Sequence, residues 1–326
     1  MVVIGRLLPA ASPDPDPINV ETAGFGRAVL VLASASAFVK LSGPRYKTMN
    51  RRHFLISTLA AGLAACGPAA FAAAPRFEPT RFSVEVRGRG PDVILLPGLT
   101  SGRDVWRDTV SAVPGYRYHL IQVGGFAGEP ARGNRRGPVV GPLADEIARY
   151  ITSRGLQRPA IVGHSMGGTL AMMIGTRHPN LAGRIMVVDM LPQPAGLFGG
   201  TSTDMGPLAR SIMSSDSGRR LFGSLISAFS PPGATNRLSD SDVVARAMHD
   251  LAGMDLGPQL PSLRAPLTVV YGAPDPRGRA AIDRSYASAY ARARGARLVR
   301  VDGSGHMVML DQPTRFAATL RSFLAR

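Results

Sequence analysis

From about residue 81 onward, short apolar runs of three to five residues alternate with longer stretches in which apolar side chains recur every three or four positions. The runs 82–86, 93–96, 119–123, 160–162, 185–188, 267–271 and 298–301 are rich in Val, Ile and Leu and predict seven strands. Between them, 143–153 places Leu143, Ile147 and Ile151 on one helical face, and 168–177, 280–294 and 313–325 also read as helices. Strand and helix in alternation predict βαβ units and a mostly parallel central sheet flanked by helices. One stretch breaks the rhythm. Residues 192–266 hold two helix-like pieces, about 208–229 and 242–252, separated by the turn-rich 230–233. An all-helical insertion before the penultimate strand reads as a lid.

Upstream of residue 75 the text changes. Residues 1–48 alternate Pro and Asp from Ser12 to Pro17, and their apolar stretch 28–39 is too short to cross a bilayer. They read as an untranslated or disordered extension, with Met49 as the expected start. Residues 49–74 carry Arg51 and Arg52 ahead of an uncharged, Ala-rich run, the pattern of a twin-arginine export signal. Ala70, Phe71, Ala72 and Ala72, Ala73, Ala74 both suit a small-x-small cleavage point. Leu63, Ala64, Ala65, Cys66 instead resembles a lipobox, which would put a lipid anchor on Cys66. The mature domain, 75–326, is therefore expected to be exported, periplasmic or secreted, with a membrane-anchored lipoprotein as the alternative.

Charge and cysteine content narrow the chemistry. The 326 residues carry 38 basic and 22 acidic side chains, a formal net charge of +16. Such an excess invites a nucleic-acid reading, but its distribution argues against one. Only Lys40 and Lys47 are lysines, and the arginines are scattered among acidic residues, with Arg132, Arg135 and Arg136 the densest group. The single cysteine, Cys66, rules out an intramolecular disulfide and cysteine-based zinc sites. No metal or organic cofactor is expected.

Gly163, His164, Ser165, Met166, Gly167 matches G-x-S-x-G, and an apolar strand runs into it while a small-residue helix leads out. A serine on so tight a turn needs glycine on both sides, because a larger side chain would strike the neighbouring backbone. Where such an elbow serves a triad, its members follow in the order serine, acid, histidine, so the base is sought after Ser165. His178 sits at a helix end before Pro179 and His249 on a helix of the insertion, whereas His306 stands in Asp302, Gly303, Ser304, Gly305, His306, between the last strand and the last helix. His306 is therefore expected to be the general base. Asp275, in Tyr271, Gly272, Ala273, Pro274, Asp275, Pro276, is the favoured acid, with Asp189 at the preceding strand end as its rival. Backbone N–H groups of Leu99, in Pro97, Gly98, Leu99, Thr100, and of Met166 would form the oxyanion hole. Trp106 is expected to fill core below that loop, and Met213 and Phe222 in the insertion to line an acyl pocket.

With these four motifs in order, the region from about residue 81 to 326 resembles an α/β-hydrolase of the lidded esterase type. The resemblance implies a serine hydrolase that cleaves small carboxylic esters through an acyl-enzyme. On the same constellation it also admits a hydrolase of carbon–carbon bonds or thioesters, and, from another class, a non-catalytic ligand-binding protein of the same fold. One departure is Pro97, where the family usually has His. Serine at 165 also separates the chain from dehalogenases and epoxide hydrolases, which use aspartate there.

Overall fold

The computed structural model describes residues 77–195 and 239–326. The expected extension 1–48, the signal 49–74 with Cys66, and the helix 208–229 with Met213 and Phe222 lie outside the described residues.

All seven expected runs form strands: β1 (Phe82–Gly88), β2 (Asp92–Leu96), β3 (Arg117–Val123), β4 (Ala160–His164), β5 (Arg184–Val188), β6 (Leu267–Ala273) and β7 (Arg297–Asp302). They make one sheet in the order β1-β3-β2-β4-β5-β6-β7, in which β1 runs antiparallel to β3 and every other neighbouring pair is parallel. Residues of β2 alternate between two packed faces: Ile94 and Leu96 join one apolar cluster, Val93 and Leu95 the other. A strand covered on both faces must be apolar at every position, so the central strands read as continuous runs.

Seven α-helices cover these faces among the described residues: α1 (Arg107–Ala112), α2 (Val140–Ser153), α3 (Met166–Arg177), α4 (Ser241–Ala252), α5 (Arg279–Ala289), α6 (Val308–Asp311) and α7 (Pro313–Leu324). Side chains of α2, α3 and α5 pack with Ile94, Ile161 and Val187, while Phe316, Leu320 and Phe323 of α7 pack with Val93, Val162 and Val188. Trp106 is wholly buried on the α7 side, its ring 6.1 Å from that of Phe316, and is core. The short α1 and α6 are not among the helices expected from sequence. Six and four residues span too few turns to show a repeating apolar face.

The described part of the insertion between β5 and β6 is fastened to the core by polar contacts. Asp240 caps α4, accepting from the N–H groups of Asp242 (3.0 Å) and Val243 (3.1 Å). From the other end of α4, Asp250 Oδ2 accepts from the N–H groups of Val139 (2.7 Å) and Val140 (2.9 Å), where α2 begins. Ser239 Oγ accepts from Ala127 N–H at 3.0 Å and donates to the Thr100 carbonyl at 3.3 Å.

Candidate active site

The strand order reverses between β2 and β4, whose carboxyl ends therefore open a crevice with no crossover above it. Leu99 follows β2 and Ser165 follows β4 on its two sides. Ser165 has φ 52° and ψ −123°, a backbone state that costs a serine about 1–3 kcal/mol and holds its side chain out on a sharp turn. The flanking glycines are obligatory: a Cβ on Gly163 would lie 2.0 Å from the Gly167 carbonyl oxygen, and one on Gly167 2.3 Å from that of Leu96. Ser165 N–H is tied at 2.9 Å to the Val188 carbonyl of β5, which fixes the turn to its neighbour. The backbone N–H groups of Leu99 and Met166 have no acceptor among the described residues. Thr100, with φ 62°, turns the chain sharply away after Leu99.

His306 Nδ1 lies 2.7 Å from Asp189 Oδ2. A carboxylate only accepts, so Nδ1 carries a proton, and in the neutral ring Nε2 then presents a lone pair. Asp189 is the residue immediately after β5, with φ 49°, and its N–H donates to Val270 of β6 at 2.7 Å. Its other oxygen, Oδ1, accepts from Gly272 N–H (3.0 Å) and from the Tyr286 hydroxyl (3.1 Å). The expectation that Asp275 partners His306 is therefore corrected. Asp275 Oδ1 accepts at 2.8 Å from Arg277 N–H and caps the 3₁₀ turn Pro276–Gly278, its carboxylate exposed. The Asp-Pro pair after β6 makes a local cap; the acid that meets His306 comes from one strand nearer the centre.

The loop that carries His306 is held by the last residue of α6 and the one after it. Asp311 Oδ2 accepts from Gly305 N–H at 2.8 Å, and Gln312 Nε2 donates to the Gly303 carbonyl at 3.0 Å. His306 is half exposed, whereas His164, directly before the serine, is buried. The two rings lie 4.6 Å apart, and His164 Nε2 donates at 2.9 Å to the His306 carbonyl. His164 Nδ1 is then a bare acceptor, buried with no partner among the described residues, against Gly98. Burial, and then the closeness of His306, push the His164 pKa down to about 3, so this ring is neutral at any ordinary pH. No hydrogen bond joins Ser165 Oγ to His306 among the described residues. Such bonds in a free site commonly tighten only when substrate arrives.

Two residues of this cluster escape sequence reasoning. His164 occupies a variable position of the elbow, where nothing marks it as the strut beneath His306. Tyr286, in the middle of α5, is 97 positions from Asp189 and carries no motif. Neither the His178 nor the His249 ring hydrogen-bonds to this cluster.

A family model described as "Alpha/beta hydrolase family" matches residues 93–319. The polyketide synthase ThaQ of Burkholderia thailandensis is 29% identical over 263 residues, covering 73% of this chain. The chain spans only 12% of that synthase's length. A pimeloyl-[acyl-carrier protein] methyl ester esterase of Aromatoleum aromaticum is 26% identical over 250 residues, 68% of this chain and 94% of that protein. Among solved structures, a thermophilic esterase from Thermogutta terrifontis superposes with a TM-score of 0.59 at 19% identity, covering 75% of this chain and 93% of the other; at that identity the likeness speaks for the fold alone.

Proposed function

The chain belongs to the alpha/beta hydrolase family, and from that premise we propose that it is a serine hydrolase of carboxylic esters working through Ser165, His306 and Asp189. The observation that carries the reading is the 2.7 Å bond from His306 Nδ1 to Asp189 Oδ2, in a loop whose backbone is pinned by the residue preceding the strained serine. In this reading His306 Nε2 takes the proton of Ser165 Oγ as the oxygen attacks the ester carbonyl carbon. The N–H groups of Leu99 and Met166 stabilise the oxyanion that forms. Collapse expels the alkoxide, which leaves with the proton from His306, and the acyl group stays on Ser165. Water, deprotonated by the same nitrogen, then releases the acid. Asp189 holds the imidazole in the tautomer this cycle needs and stabilises the imidazolium.

A named relative acts on a methyl ester, which supports an oxoester as the scissile bond. Thioester cleavage on the same residues is the second reading, favoured by the similarity to a polyketide synthase. The twin-arginine pattern at Arg51 and Arg52 supports export of the domain and so a free small-molecule ester over a carrier-bound one. The test is labelling by a fluorophosphonate, with p-nitrophenyl acetate and butyrate as substrates. We expect one adduct, on Ser165, and a loss of about 10⁴ or more in kcat for Ser165→Ala with the fold retained. Turnover of Ser165→Ala near the wild-type rate would overturn the mechanism.

A further inference from the structure

We propose that Tyr286 is a positioning residue of the catalytic acid: its hydroxyl locks the Asp189 carboxylate so that Oδ2 alone faces His306. The inference rests on the triad reading above. Asp189 stands at a strand end with a left-handed backbone, and its side chain projects towards two elements at once. Oδ1 receives two donors from two different elements, Gly272 N–H at 3.0 Å from β6 and Tyr286 O–H at 3.1 Å from α5. Oδ2 receives only His306, at the shorter 2.7 Å. Exchanging the two oxygens by rotation would break both of these bonds, which favours one direction for the His306 bond.

The phenol is built for this task. Tyr286 is buried, and its ring lies 4.2 Å from that of Tyr271, nearly parallel at 11°, and 6.4 Å from that of Tyr290 at 8°. Burial, and then the negative charge of Asp189, raise its pKa far above the usual phenol range, so it is always a donor. The flanking hydroxyls are committed elsewhere: Tyr271 donates to Asp283 at 2.8 Å and Tyr290 to the Met190 carbonyl at 2.7 Å. Of the three stacked rings only the middle one serves the acid. A tyrosine needed merely to fill space here would be served equally by phenylalanine.

Tyr286→Phe removes the hydroxyl and keeps the stack. Without that donor the charge on Asp189 is less dispersed and attracts the imidazolium more strongly. His306 then gives up its proton less readily, and the acidic limb of the kcat/KM–pH profile moves to higher pH. Held on Oδ1 by Gly272 N–H alone, the carboxylate is less firmly directed, so kcat falls about tenfold while KM for p-nitrophenyl acetate is unchanged. Site-specific 3-fluorotyrosine at 286, which has the same shape and a stronger donor, moves the acidic limb the opposite way and keeps the proposal testable should the Phe variant fold poorly. Asp189→Asn is measured alongside. If it abolishes activity while both Tyr286 variants leave kcat and the acidic limb at wild-type values, the positioning role is overturned and the triad stands. If Asp189→Asn is itself fully active, the triad reading fails and this role with it.

Discussion

Two Asp–His pairs sit at opposite edges of the same sheet. At the carboxyl edge Asp189 holds His306 at 2.7 Å, and at the amino edge Asp92, the first residue of β2, holds His119 Nε2 of β3 at 2.9 Å. Distances and partners are nearly identical, yet the fate of the second ring nitrogen differs. His119 Nδ1 is taken by the Tyr150 hydroxyl at 2.8 Å, and its side chain is 5% exposed. His306 Nε2 is uncommitted, and its side chain is 46% exposed. Asp92 is also closed off, since Arg117 grips it with Nε at 2.5 Å and Nη2 at 2.9 Å. An aspartate beside a histidine is thus not by itself a mark of catalysis. What distinguishes the pair proposed to work is the uncommitted Nε2 of His306, whereas at the amino edge both ring nitrogens of His119 are spent on joining β2, β3 and α2.

The comparison would break first at Asp189. Asp189→Asn should lower kcat by about 10⁴ by offering His306 the wrong hydrogen-bond partner, while Asp275→Asn stays within about twofold. Steady-state kinetics on both variants decide it, and a severe loss at Asp275 with a mild one at Asp189 would return the acid to the 3₁₀ turn after β6. At the other edge the effect should appear in stability alone. Asp92→Asn leaves Arg117 and His119 without their carboxylate and should cost about 1–3 kcal/mol in urea unfolding, with kcat unchanged. Any matching fall in kcat would mean that the two edges are coupled.

Acid sharpens the contrast further. Burial lowers the pKa of His119 despite Asp92 beside it, and burial lowers that of His164 to about 3. At Asp92 burial alone would raise the pKa, but the hydrogen bonds from Arg117 and His119 outweigh it and the net shift is downward. In each case the unfolded chain takes up a proton at a higher pH than the native protein does. Stability is therefore fully present above about pH 6.5 and falls as pH drops through the histidine range and then the carboxylate range, by at most about 1.4 kcal/mol per pH unit for each proton. Urea midpoints from pH 7.5 to 4 should show this decline, and His119→Gln should flatten it without altering the acidic limb of activity. A wild-type midpoint that rises on acidification would contradict the assigned burial.

Much of this was legible in the residues. The strands declared themselves because each central one is buried on both faces, and the elbow because Gly163 and Gly167 meet backbone oxygens where any Cβ would collide. The choice between Asp189 and Asp275 was not legible. Both follow a strand of the same apolar kind, and which carboxylate reaches His306 depends on the left-handed turn at Asp189 and on Tyr286 approaching from α5. Neither a conformation at a strand end nor a contact across 97 positions leaves a periodic trace in a single sequence. The helix α1 was missed for a different reason, being too short for its apolar positions to repeat.

The Asp250 cap on α2 bears on how such a scaffold could be rebuilt. Enzymes of this layout invite chimeras in which the segment between β5 and β6 is cut out and another grafted in to change what enters the cleft. Here that segment supplies the acceptor for the amides of Val139, just ahead of a core helix, and of Val140, its first residue, and Arg246 donates at 2.7 Å to the Asn134 carbonyl nearby. A graft without an acid at that place would leave both amides bare and forfeit about 0.5–2 kcal/mol, a deficit that would surface as poor expression and be mistaken for an unsuitable donor segment. The safe junction lies before residue 239, so that α4 stays with its host.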